Sequence, residues 1–303
     1  MLPELLPLVN ATFRSATPLV YGAVGETWSE RAGVLNLGIE GTMYAGAFFG
    51  FVAAYWSGSL LVGLVVAIVA GVLAGALMAL LSVTFGTNQH VAGLGITLLA
   101  IGVAEFVNRV AFAASATLPR IQPFAEIDVD LLGLGTFKGY LLTFVAFLVL
   151  VPAAWWLLTR SSFGLAVRAV GENPEAADAA GISVARTRYL ALMLGGALMG
   201  TGGAFITLAS LGTFTLDIIA GRGWVCVALV IFGRWRIVPV VIGALIFAAV
   251  DSLQLRLRIL PGWEGVPFEL LLALPYLVVI AALAISGRGV RYPGAYLRPY
   301  RRT

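Results

Sequence analysis

Apolar runs of about 20 residues recur along almost the whole chain, separated by short clusters of Gly, Pro and charge, a pattern that predicts membrane-spanning helices. Spans are expected near 13–28, 34–56, 60–83, 92–112, 139–159, 187–209, 218–233, 237–255 and 267–286. No stretch between them is long enough for a separate soluble domain, so residues 1–303 read as one transmembrane domain. The expected fold is all-α: a polytopic membrane helical bundle of about nine spans with broken or re-entrant segments.

The breaks are expected where polar residues enter the apolar pattern. Glu26, Glu30, Arg31, Asn36 and Glu40 interrupt the first two spans, together with Gly25, Gly33, Gly38 and Gly41. Irregular backbone at membrane depth is tolerated only inside protein or beside a watery cavity, so a lipid-facing helix is not expected there. Asn36 and Glu40 are four residues apart, and a helix would place both on one face, where they either line a polar path or satisfy buried structural bonds. A second Gly-rich polar start, LDIIAGRGWVCVALVIFGRW, begins at Leu216 and carries Arg222 and Trp224. A guanidinium and an indole there would suit a sugar hydroxyl or a stacked base, and equally a fold-supporting pair. The two polar starts suggest an inverted repeat of roughly four spans against four.

One polar, Ala-rich stretch stands apart. Residues 164–182 read GLAVRAVGENPEAADAAGI, in which Glu172, Asn173 and Pro174 start a short helix and Gly181 ends it. Glu175, Ala176 and Ala177 fall on that helix, and the whole loop, about 160–186, suits docking by a soluble partner. Arg160, Arg168, Arg186 and Arg188 flank it, which places it in the cytoplasm. An even number of crossings then puts the Arg-rich C-terminus inside, along with Arg234, Arg236 and Arg31. It puts 113–138, with Glu126, Asp128 and Asp130, outside, and the N-terminus outside as well.

Composition agrees: 60% hydrophobic, 11% charged and a mean hydropathy of +0.97, against about 25% charged in soluble domains. The net charge of +4 sits beside spans and in the tail, where membrane lipid and topology explain it without nucleic acid. Cys226 and His90 are the sole cysteine and histidine, so this chain assembles neither a disulfide framework nor a Cys/His metal site. The segment MLPELLPLVN lacks a basic n-region, and the first span is expected to be retained. Lys138, the sole lysine, lies in GTFKGY, and there is no GxxxxGK[ST], GxSxG, HExxH or DxDxDG pattern. Gly71 and Gly75 form GxxxG, and 195–204 read GGALMGTGGA; both suit close helix packing, within the chain or between subunits. Glu105 and Asp251 within apolar runs would favour an ion-coupled carrier, although Arg109 stands four residues from Glu105 and can neutralise it.

The loop at 164–182 resembles the cytoplasmic coupling loop of ABC importer permeases in the branched-chain amino acid, ribose and nucleoside group. ERAGVLNLGIEGTMYAGAF at 30–48 and IAGRGWVCVALVIFGRW are similar to the nucleoside and simple-sugar subgroup, and the likeness spans about 20–286. It implies a permease of the inner membrane that binds no cofactor itself, with ATP and Mg held by a separate ABC ATPase. It further implies a longer paralogous permease as partner, a periplasmic or lipid-anchored solute-binding protein, and a nucleoside or related sugar-containing solute. The alternatives to weigh are an ion-coupled secondary transporter and a membrane scaffold or receptor subunit without transport.

Overall fold

The computed structural model describes residues 2–113, 118–130, 136–257, 266–286 and 291–300. Its first half contains α1 (Leu2–Arg31), α2 (Ile39–Ser57), α3 (Leu60–Ala79, carried to Thr84 by a π-helical turn) and α4 (Gln89–Ala111). After a hairpin of β1 (Glu126–Asp130) and β2 (Thr136–Tyr140), α5 (Leu141–Phe144) runs through π-helical turns into α6 (Val151–Arg160). Two short helices follow, α7 (Ser162–Glu172) and α8 (Pro174–Ala179). The chain continues in α9 (Val184–Ala204, extended to Leu211 by π-helical turns), α10 (Arg222–Phe232), α11 (Ile237–Leu257) and α12 (Phe268–Ser286).

The helical character is as expected, with one correction. The fold is not all-α: Glu126–Asp130 pairs antiparallel with Thr136–Tyr140, in register Asp128↔Lys138, between the spans expected at 92–112 and 139–159 and reaching the start of the second. Local alternation in EIDVD and a cross-strand Lys138–Asp128 ion pair at 3.6 Å support it, features masked in the sequence by the surrounding apolar runs. The nine expected spans are matched in part. Five described stretches are long and apolar enough to cross a membrane: Leu60–Thr84, Gln89–Ala111, Leu141–Arg160, Val184–Leu211 and Ile237–Leu257. α10 has only 11 residues, short of the roughly 20 that a crossing needs.

α1 and α2 are the interior helices. Thr17, Glu26, Thr27, Ser29 and Glu30 of α1 are fully buried, and α2 is buried along most of its length. Around them Trp28, Phe48, Phe51, Met43, Met199 and Phe205 fill one continuous core. α1 packs against α9, α10 and α11, while α9 packs against α1, α2 and α3. α2 meets α3 and α4, as α10 meets α11 and α12. Exchanging α1–α4 for α9–α12 thus preserves the main contacts.

Small residues set how closely these helices approach. A Cβ at Gly71 or Gly75 would overlap the α9 backbone at Gly196 or Leu192, and one at Gly46 would overlap Gly200. The GxxxG face and the 195–204 segment therefore pack against one another inside this chain. The outer faces of α3 and α4 expose Leu61, Val65, Leu73, Leu98, Phe106 and Val110, as a lipid-facing surface does.

Candidate functional site

Two neighbourhoods hold the sequence-derived candidates. The first is the break between α1 and α2. α1 does not break at its glutamates; it runs unbroken to Arg31, and the chain turns at Gly33, whose φ of +86° is open to glycine at little cost. Residues 32–36 are buried, so the irregular backbone lies inside protein as its polarity requires. Its groups are satisfied internally. Glu26 Oε1 accepts from the Asn36 amide at 2.9 Å, Gln89 Oε1 accepts from the Leu35 amide at 2.8 Å, and Asn36 Oδ1 accepts from the Gly38 amide at 3.0 Å.

Asn36 and Glu40 therefore do not share a helix face. Asn36 stabilises the turn that precedes α2, whereas Glu40 stands in the first turn of α2. The competing local bond of an Asn to the backbone two residues on ends the helix pattern that a four-residue spacing assumes. Glu40 reaches across to the start of α10: Oε1 accepts from the Gly221 amide at 2.8 Å and Oε2 from the Gly223 amide at 2.7 Å. A carboxylate at a helix N-terminus satisfies orphan N–H groups and meets the positive end of the helix dipole. Gly223 is required by that approach, since a Cβ there would stand 2.6 Å from Glu40. Arg222 folds back, donating to the carbonyls of Ile218 at 3.3 Å and Ile219 at 3.1 Å, and Trp224 points outward with 37% of its surface exposed. The structure thus gathers Glu40, Arg222 and Trp224 at one junction and shows Asn36 and Glu40 in bonds within the protein.

The second neighbourhood is α7–α8. Ser161 caps α7 by accepting from the Gly164 amide, and Asn173 caps α8 by accepting from the Ala176 amide at 3.0 Å, with Pro174 as first helical residue. Gly181, at φ +85°, closes the C-terminal end as the Ile182 amide donates to the Ala177 carbonyl. The short helix read from the sequence is therefore present, with one correction: Glu172 ends α7 instead of starting α8. Its Oε2 accepts from the Gly294 amide at 3.2 Å and its Oε1 faces Arg31 at 3.8 Å, so tertiary contacts claim the side chain. Glu175, Ala176, Ala179 and Ala180 present a free face, while Ala177 is buried with Val170 and Val184.

Trp235, together with Glu30, Arg31 and Arg188, joins these neighbourhoods. Trp235 Nε1 donates to Glu30 Oε2 at 2.6 Å, Arg31 Nε donates to the Trp235 carbonyl, and buried Arg188 donates from Nε to the Ala32 carbonyl at 3.1 Å. Only the polarity of Glu30 and Arg188 within apolar sequence hinted at such a junction. The expected local neutralisation of Glu105 is absent, as no ion pair joins it to Arg109 among the described residues. Asp251 accepts from Gln254 Nε2 at 3.0 Å on its own helix, and His90 lies exposed behind an Asn88 cap. The described residues contain no cluster of three or more His, Cys, Asp or Glu able to hold a metal.

Comparison with known proteins places these features in a lineage. The chain is 37% identical over 82% of its length to a putative glucose ABC transporter permease protein of Haloferax volcanii, covering 77% of that protein. It is 32% identical over 91% of its length to a guanosine ABC transporter permease protein of Bacillus subtilis, 90% of which is covered. A nucleoside ABC transporter permease protein of Lactococcus lactis is 31% identical, with 89% of each chain covered. No solved structure matches. The family of branched-chain amino acid transport system permease components matches residues 8–283, and, with five described helices long and apolar enough to cross a membrane, the chain belongs to that permease family.

Proposed function

We propose that this chain is the shorter transmembrane permease subunit of an ATP-driven importer for nucleosides or related sugar-containing solutes. The observation that carries the reading is the capped α7–α8 unit, which presents Glu175 and Ala176 on an exposed face at one end of an apolar bundle. The guanosine, nucleoside and glucose permeases among its relatives support the solute class.

In this reading the chain binds no cofactor. ATP and Mg sit on a separate ATPase subunit, which receives α8 in a cleft, with Glu172, Asn173, Pro174, Ala177 and Gly181 shaping the helix ends. Nine crossings, the short ones completed by flanking irregular backbone, put α7–α8 and the C-terminus in the cytoplasm and the hairpin and N-terminus outside, and make α1–α4 and α9–α12 inverted repeats. A longer paralogous permease completes a heterodimer, and Bacillus subtilis supplies a parallel: this chain also aligns at 25% identity with a second guanosine permease there, covering 82% of it. A periplasmic or lipid-anchored binding protein delivers solute. Asn36 and Glu40 hold the backbone beside the solute path, and Arg222 and the exposed Trp224 stand along it. Rigid-body closure of the ATPases moves α8 and alternates access.

The test is Glu175→Arg. Charge reversal on a partner-facing surface replaces attraction with repulsion. ATPase recovery with the purified complex and solute uptake should both drop severalfold, with unchanged amounts of inserted protein. Wild-type recovery, hydrolysis and uptake together would reject α8 as the docking element.

A further inference from the structure

α8 has only six residues and one buried side chain, Ala177, so little core of its own joins it to the bundle. Besides its neighbours α7 and α9, the segment at 291–300 also reaches it. The Ala295 amide donates to the Gly171 carbonyl at 2.8 Å and the Gly294 amide to Glu172 Oε2, fixing the segment to the end of α7. Ala295 is buried, and its carbonyl packs at the Gly33 turn, where a Cβ would meet it at 3.1 Å. Further along, the Arg298 carbonyl accepts from Nη1 of buried Arg188, and the Tyr300 hydroxyl donates to Asp178 Oδ2 of α8 at 3.2 Å while its ring packs on Val170, Ala177 and Val184. In the other direction Tyr292 and Tyr296 pack on Trp235 with ring centroids 5.0 and 6.0 Å away, and the Tyr296 phenol stands close enough to the Glu30 carboxylate to feel its charge.

The segment therefore touches α8 at one end and, at the other, the inner end of α1 and the turn between α10 and α11. We propose that residues 291–300 are a transmitting strap, which carries displacement of α8 to α1 and to the α10–α11 turn through the Tyr300–Asp178 and Tyr296–Glu30–Trp235 contacts. Tyr296 and Tyr300 are positioning residues in this scheme: they touch no solute and act through the helices they hold. The inference rests on the docking role of α8 proposed above. Burial and the neighbouring Glu30 push the Tyr296 phenol above its ordinary range, so it remains a donor at any physiological pH. A chain of packed groups with two ends carries coupling only if changing its members changes the coupling, and that can be measured.

The experiment uses the full complex of this chain with its ATPase, second permease and binding protein in liposomes, with tritiated guanosine and labelled glucose as probes. Tyr296→Phe and Tyr300→Phe keep the rings and remove the hydroxyl contacts. Both variants should keep ATPase recovery and basal ATP hydrolysis, while solute taken up per ATP hydrolysed falls about threefold or more. Asp178→Asn should lower that ratio in the wild-type background and lower it less when Tyr300→Phe is already present, as members of one contact do. Tyr292→Phe, which retains its ring on Trp235, should match wild type. An unchanged ratio in both single variants would overturn the strap, and so would parallel loss of recovery, hydrolysis and uptake, which marks mere structural support. Glu175→Arg separates the two proposals: if it blocks ATPase recovery while the tyrosine variants behave as wild type, only the strap fails. If it too has no effect, the docking role fails with it.

Discussion

Glu40 accepts from two backbone amides at the start of α10, and both of its oxygens are committed. Gln retains one acceptor oxygen and would turn an amide N–H₂ toward a backbone N–H, so it is a poor replacement here, and Ala leaves both donors unpaired. An unsatisfied buried group costs about 1–3 kcal/mol. Glu40→Ala and Glu40→Gln are both expected to lower the thermal stability of the assembled complex and to remove most uptake. Gln surviving with wild-type stability and uptake would show that the bonds to Gly221 and Gly223 contribute nothing. The oddity of a carboxylate in the apolar run at 37–54 was legible in the sequence. Its partner was not, because the amides it binds lie some 180 positions away and backbone donors carry no sequence signature.

At the scale of elements, α8 was legible because capping is local. Asn173, Pro174 and Gly181 each act within a turn of their own position, so the helix ends could be read directly, while Glu172 was misassigned because its partners at Arg31 and Gly294 are remote. Asn173→Ala removes the bond to the Ala176 amide and should cost α8 about 1 kcal/mol. Amides 176–180 should exchange hydrogen faster in this variant, with α9 unaffected and uptake reduced more than ATPase recovery. Unaltered exchange would show that packing of Ala177, not the cap, holds the helix. The hairpin was missed for the opposite reason, since two five-residue strands between long apolar runs present too short a pattern to separate from loop.

Across the whole molecule, the interior gathers the buried carboxylates and hydroxyls of α1, while the outer faces of α3 and α4 are apolar. Cys226, the sole thiol of the sequence, is buried against α1, where its Sγ lies 3.6 Å from the Leu19 carbonyl. It should not react with a water-soluble maleimide in the folded complex. Trp224→Cys, two positions earlier and exposed, should react, and should do so in one ATP-dependent state of the complex and not in the other. Labelling equal in both states would remove Trp224 from the alternating path. The sequence by itself determined the membrane-embedded helical class, the short capped helix at 174–179 and the need to bury the polar start of α2, because periodicity, capping and desolvation act over one or two turns. Only the tertiary structure decided that Glu40 holds α10, that Gly71 and Gly75 serve packing within the chain, and that the segment at 291–300 reaches α8, Trp235 and Glu30. Those facts depend on which helices become neighbours, a choice settled by the combined packing of small residues and the pairing of buried polar groups across the chain.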